Sequence, residues 1–161
     1  MPIYVLLVKV ELEGVSSLVT VENSPWILDI RSSKDPEQIR EGVYISRGDD
    51  VEVEGSKGKA NFAVKFKGSN SKSTCSVIDI KNYTQKEISA KDSGKFVPIA
   101  AFECRGLEII SWHPSTDFIA TSEGGFCFGE IDLSEGDWCE YDEENDISVT
   151  VTDLEFKIET N

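Results

Sequence analysis

The chain carries one histidine, His113, and four cysteines, Cys75, Cys104, Cys127 and Cys139, which are scattered with no Cys-x-x-Cys spacing. A zinc site needs several thiolates or imidazoles, usually at short repeated spacing, so no local motif advertises a metal centre. Phosphate-cradling and dinucleotide-binding glycine motifs are absent, as is a Gly-x-Ser-x-Gly nucleophile turn. The acidic run "DEEND" at 142–146 lacks the spaced ligands and the glycine of a calcium-binding loop. No apolar stretch approaches the roughly 20 residues that span a bilayer as a helix. The apolar start "IYVLLVKVELEG" has neither a basic leader region nor a small-residue cleavage site. It reads as the first strand of a soluble cytoplasmic protein, with the nucleus as a second compartment and no membrane partner. Positive charge is also scarce. Sixteen Lys and Arg stand against 30 Asp and Glu, giving a net charge of −14, the opposite of what phosphate-backbone binding requires, which excludes nucleic acid as a partner.

What is present is apolar content of a globular kind, with 39% hydrophobic residues in 161, enough for one ordinary domain or two small ones. The charge is lopsided. Ten acids and no Lys or Arg lie between Glu123 and Asp146, whereas eight Lys and only two acids, Asp79 and Glu87, lie between Gly55 and Lys91. Such asymmetry can steer a charged partner or can simply solvate one face.

The apolar pattern has the two-residue period of strands almost throughout. Tyr4, Leu6, Val8, Val10 and Leu12 share one face of the opening segment, and Lys9, Glu11 and Glu13 the other. Short strands are predicted around 26–30, 43–45, 51–53, 61–66, 76–80, 97–108 and 129–133. In "ISVTVTDLEFKIE" the alternation changes phase, which places a bulge or short break near Asp153. The one helix-like segment is "KDPEQIREG", with Asp35 as N-cap, Pro36 at the first position and Gly42 as a stop.

Laid on itself, the chain shows two weakly matching halves. "LEGVSS" from Leu12 matches "LEIISW" from Leu107, and "SRGDDVEVEGSKGKANFAVKF" from Ser46 matches "SEGDWCEYDEENDISVTVTDLEFKI" from Ser134. The expected fold is all-β: two similar small antiparallel units, sandwich or barrel-like, at 1–81 and 82–161, packed into one compact body. A single structural domain with an internal pseudo-repeat is the alternative division.

Cys104 shares a strand face with Ala100 and Phe102, so core packing is favoured over a ligand or nucleophile role. His113, between Trp112 and Pro114, reads as a turn residue beyond a strand end. Trp112, Trp138, Tyr141 and Asp142 are candidate partner-binding groups, because Trp and Tyr anchor interfaces; core packing is the competing reading for each aromatic. Glu130 with Asp132, and Asp142 with Glu144, are carboxylate pairs of the kind hydrolases use, but such pairs arise freely among 30 acids.

"DSGKFVPIAAFECRGLE" and "FGEIDLSEGDWCEYDEEN" resemble the C-terminal half of the eukaryotic CXXC-motif-containing zinc-binding protein family, long catalogued as of unknown function. "WILDIR" and "EGSKGKANFAVKFK" are similar to the segments that flank its metal ligands. The resemblance implies a Cys₄ zinc site from two Cys-x-x-Cys pairs, and places those four positions at Ser32, Asp35, Phe66 and Ser69. None is cysteine here, and a lone Asp with two Ser and a Phe cannot replace four thiolates. Zinc is therefore implied by the family but not expected in this chain. Phe66, in phase with Phe62 and Val64, is expected to turn inward and fill the space.

Three functions remain open. The leading expectation is a non-catalytic protein that binds another protein. The second is a metal handler using Cys75, Cys104, Cys127 or Cys139, and the third a hydrolase using carboxylates of the acidic segment.

Overall fold

The computed structural model describes residues 1–53 and 58–161. The start of the resembling segment "EGSK" at 54–57 lies outside the described residues. Along the chain run β1 (Ile3–Glu13), β2 (Val15–Thr20), β3 (Trp26–Ser32), β4 (Ile39–Ile45), β5 (Val51–Glu52), β6 (Lys59–Ala60), β7 (Phe62–Val64), β8 (Ser73–Ile78) and β9 (Glu87–Ser89). A single 3₁₀ turn (Ala90–Asp92) follows, then β10 (Val97–Arg105), β11 (Leu107–Trp112), β12 (Phe118–Ser122), β13 (Cys127–Ile131), β14 (Trp138–Asp142) and β15 (Ile147–Thr160). The all-β expectation holds. No helix among the described residues is long and apolar enough to cross a membrane.

The predicted helix at 35–42 does not form. Asp35 instead builds a turn, its carboxylate accepting from the N–H of Glu37 at 3.2 Å and its carbonyl from the N–H of Gln38 at 3.0 Å. From Ile39 the chain extends and pairs with β3, Leu28 opposite Val43 and Ile30 opposite Arg40. The cap signals are real but local, and strand pairing outweighs a helix of one or two turns. The phase change in β15 is a bulge: Lys9 faces Glu155 but Glu11 faces Thr152, and Asp153 sits at φ 55°. Strands β2, β9 and β12 were not marked by the alternation; their residues are short and polar-rich, and each gains its burial from a distant partner.

The sheets interleave the two halves. The six-stranded sheet runs β14-β15-β1-β10-β8-β7, the four-stranded one β13-β12-β2-β9 and the three-stranded one β11-β3-β4. At the centre β1 and β10 pair antiparallel, Tyr4 opposite Phe102 and Leu6 opposite Ala100. Each then turns a corner at a glycine, Gly14 at φ 71° and Gly106 at φ 77°. A Cβ at Gly14 would collide with the Ser148 carbonyl oxygen, and one at Gly106 would meet the Ser73 hydroxyl at 2.6 Å, so both the positive φ and the close approach require glycine. Beyond the corners the ribbons cross over. β2 joins β12 of the later half, and β11 joins β3 of the earlier half. Gly14 and Gly106 each stand directly after a strand of the central pair, whereas the sequence match sets Leu12, before its glycine, against Leu107, after its own.

The main core lies between these sheets. Leu6, Val8, Leu28, Ile30, Phe102, Leu107 and Phe118 are among its buried members. Trp112 is at its middle, 5.5 Å from Phe156 and 6.2 Å from Trp26 between ring centroids. The other face of β1 carries a small second cluster, Val5 and Leu7 with Ala101, so the start of β1 is apolar on both faces.

Because the crossover gives each half strands that only the other can pair, fragments 1–81 and 82–161 made separately are expected to show no cooperative thermal transition. Mixed in equal amounts, they should recover one, followed by circular dichroism.

Candidate functional site

Two turns face each other across a cavity of about 890 Å³. The first begins at the last residue of β3, where Ser32 pairs with Leu107 and is buried. Its hydroxyl oxygen accepts from the N–H of Lys34 at 3.3 Å and of Asp35 at 3.2 Å, a side-chain-closed turn. The second turn follows β7, where the Ser69 N–H donates to the Phe66 carbonyl at 3.1 Å. Ser32, Asp35, Phe66 and Ser69 all line the same cavity. The structure therefore brings the four resemblance-derived positions together.

A residue that the sequence reading missed ties the turns to each other. The Gln38 side-chain amide donates to the Lys67 carbonyl at 2.8 Å, and its oxygen accepts from the Lys67 N–H at 2.8 Å. Gln38 thus imitates a paired strand residue for one step. Phe66 is 2% exposed, with the Arg40 guanidinium 5.8 Å above its ring centroid. No motif signals Gln38, since its partner is 29 positions away.

These residues do not fit a zinc ion. Only Asp35 is a usual ligand, and its oxygens already accept from the Glu37 N–H and, at 3.0 Å, from the Gln38 amide. The Ser32 hydroxyl is engaged by two backbone N–H groups, and Phe66 offers no lone pair. Among the described residues no three His, Cys, Asp or Glu side chains are placed to hold a metal.

The remaining candidates lie elsewhere. Cys104 and Cys75 are fully buried on neighbouring strands with sulfurs 3.7 Å apart. The hydrogen bond that the Cys104 thiol donates to Cys75, together with burial, pushes the Cys104 thiol far up, which makes it a poor nucleophile. Cys127 and Cys139 are exposed on separate sheets. His113 follows β11, with Nε2 2.8 Å from Asp29 Oδ1. Asp132 caps a turn, accepting from the Ser134 N–H at 2.9 Å. Asp142 is 1% exposed, and desolvation alone would raise its pKa. Hydrogen bonds from the Ser122 hydroxyl at 2.5 Å, from Asn145 and from the Glu144 backbone outweigh that and hold the carboxyl below its ordinary value.

The four partner-binding candidates do not form one surface. Trp112 is a core residue and Asp142 an internal one, so neither can reach a partner. Tyr141 is 45% exposed, on the face of β14 opposite Trp138. Trp138 is half-buried and stacks edge-on with Phe128, 5.3 Å between centroids, and Phe128 in turn with Phe126 at 4.9 Å. This aromatic row spans two sheet edges, β13 and β14.

Among the described residues, Asp117 is the one carboxylate that burial raises markedly. It is 4% exposed, accepts from the Ser115 N–H at 2.8 Å, and its pKa is pushed up to about 6. It lines neither the cavity nor the aromatic row.

Comparison with known proteins gives a consistent result. The profile of the family described as "CXXC motif containing zinc binding protein, eukaryotic" matches residues 5–159. The Mus musculus protein of that name is 35% identical over 151 residues, 92% of each chain. Among solved structures, a hypothetical protein from Plasmodium falciparum superposes with a TM-score of 0.91 at 31% identity, covering 99% of this chain and 100% of that one. The crystal structure of C1orf123 superposes with a TM-score of 0.88 at 28% identity over 99% of each.

Phe66→Ala is expected to cost about 3 to 5 kcal/mol by emptying a buried aromatic site. Gln38→Ala should cost about 1 to 2 kcal/mol for its lost hydrogen bonds. Urea titration checks both. Asp117 binds its proton more tightly folded than unfolded, so its contribution to stability is complete below pH 3.8 and is lost as pH rises through about 6. Asp117→Asn should therefore raise stability at pH 8 by up to about 3 kcal/mol and flatten the profile between pH 4 and 6.5, read from melting temperatures.

Proposed function

This chain belongs to the eukaryotic family of CXXC motif containing zinc binding proteins, and we propose that it works there as a metal-independent, non-catalytic binding protein. The observation that carries the metal-independent part is the Gln38 clamp onto the Lys67 backbone, with Phe66 buried between the two turns. Together they make the bridge that four thiolates and an ion would otherwise make. The scattered thiols give the metal-handling alternative little support, since Cys75 and Cys104 are sealed in the core. The carboxylates first weighed for hydrolysis serve turns, as Asp132 and Asp142 do.

The row Phe126, Phe128 and Trp138 is the proposed contact surface for a protein partner. It lies at two sheet edges, and edge strands can accept further pairing. Glu130, Glu135, Asp137 and Glu140 flank it in sequence, which suits a cationic segment on the partner. Phe128 and Trp138 are half-buried against the core and Phe126 is exposed beside them, so the row offers apolar area on partly fixed rings.

Two measurements test this reading. Natively purified protein should contain less than about a tenth of an equivalent of zinc or copper by metal mass spectrometry, where a structural site would hold a full equivalent. S32C/D35C/F66C/S69C should bind one equivalent of zinc and melt lower after chelation. One equivalent in the unmodified protein would overturn the metal-independent reading. Trp138→Ala should leave the fold intact and abolish salt-sensitive capture of partner protein; undiminished capture would remove the aromatic row from consideration.

A further inference from the structure

We infer that the cavity between the two turns binds a small phosphorylated molecule. In a chain of net charge −14, the described residues that line this cavity include four cations, Lys34, Lys67, Lys72 and Arg105, and one carboxylate, Asp35. The imbalance is local and runs against the charge of the whole protein. None of the four cations makes an ion pair with a described residue, although Lys9, Arg31, Arg47 and Lys157 all do. Asp35 offsets one of the four charges, and both its oxygens also accept from the Glu37 N–H and the Gln38 amide, so positive charge is in excess among the described lining residues.

The chemistry of the occupant follows from charge and size. A single carboxylate would leave most of the positive charge unmatched, whereas each phosphate ester carries about −1.5 to −2 at neutral pH and three acceptor oxygens. Arg105 can present a two-pronged donor to such a group, and the lysines act as movable point charges. The volume of about 890 Å³ lies within the range of small-molecule sites, about 300 to 1,000 Å³. It exceeds what an isolated ion needs, so the ligand has a body as well as a phosphate. Loss of the family's thiolates thus leaves a different kind of site on the same scaffold: Phe66 closes the floor, and the Lys67 turn supplies charge at the wall.

This inference rests on the metal-independent reading of the cavity, and one titration separates the two. Chelator-treated protein is titrated with inorganic pyrophosphate in 0.15 M NaCl while backbone amide shifts are followed, with and without added zinc. The expected result is a saturable shift confined to residues 32–38, 67–73 and 105–106, with a dissociation constant below about 1 mM. K72E/R105E should weaken it at least tenfold with an unchanged melting temperature. K81E, an exposed lysine outside the cavity, should leave it alone. Shifts spread equally over Lys81, Lys86 and Lys91, or unaltered binding in K72E/R105E, would overturn the site. Absence of saturation with and without zinc sinks the phosphate site while the metal-independent reading stands. Saturation only after zinc is added overturns both.

Discussion

The antiparallel pairing of β1 with β10 is the contact on which the remaining strands depend. It joins the opening strand of one half to the equivalent strand of the other, and each is flanked on its outer edge by a strand of the opposite half, β15 on β1 and β8 on β10. Past Gly14 and Gly106 the chain leaves this sheet, β2 for the four-stranded sheet and β11 for the three-stranded one. A side chain at either corner would have to displace backbone or the buried Ser73. The four-stranded and three-stranded sheets are therefore consequences of the first, because β2 and β11 arrive where β12 and β3 need partners.

The cavity inherits its shape from that frame. Ser32 is fixed by the β3 pairing with β11, and the Ser33 N–H donates to the Gly106 carbonyl at 3.1 Å, so the first turn is anchored on the glycine corner. The second turn is strung between β7 and β8, which belong to the central sheet. Both turns are thus held by strands of the frame as well as by the Gln38 clamp. Small metal-dependent folds lack such a frame and lose their structure with the metal.

The all-β class was legible because the two-residue period survives in β1, β10 and β15, the longest strands, each of which turns one face to the core. The bulge at Asp153 was legible for the same reason, since a phase change has no other reading in an unbroken strand. The turn at Asp35 was misread as a helix start, because cap residues serve turns and helices alike and only the pairing of β4 with β3 decides between them. Gln38 could not be read at all. Its role exists only after residues 38 and 67 meet, and nothing in either neighbourhood encodes that meeting. Of the aromatic candidates, Trp112 and Trp138 look alike in sequence, yet one is enclosed between Trp26 and Phe156 and the other lies on an edge strand.

The pairing of Tyr4 with Thr160, and the Asn161 N–H on the Ile3 carbonyl at 2.7 Å, bring residues 3–4 and 160–161 side by side. The described chain is nearly a ring. Order along the sequence is thus not order in space: β1 has one of its two sheet neighbours in β15. A circular permutant that joins the ends by a short linker and opens at the exposed turn 81–83 would keep every sheet partner, and would present both new termini on the side of β8 and β9.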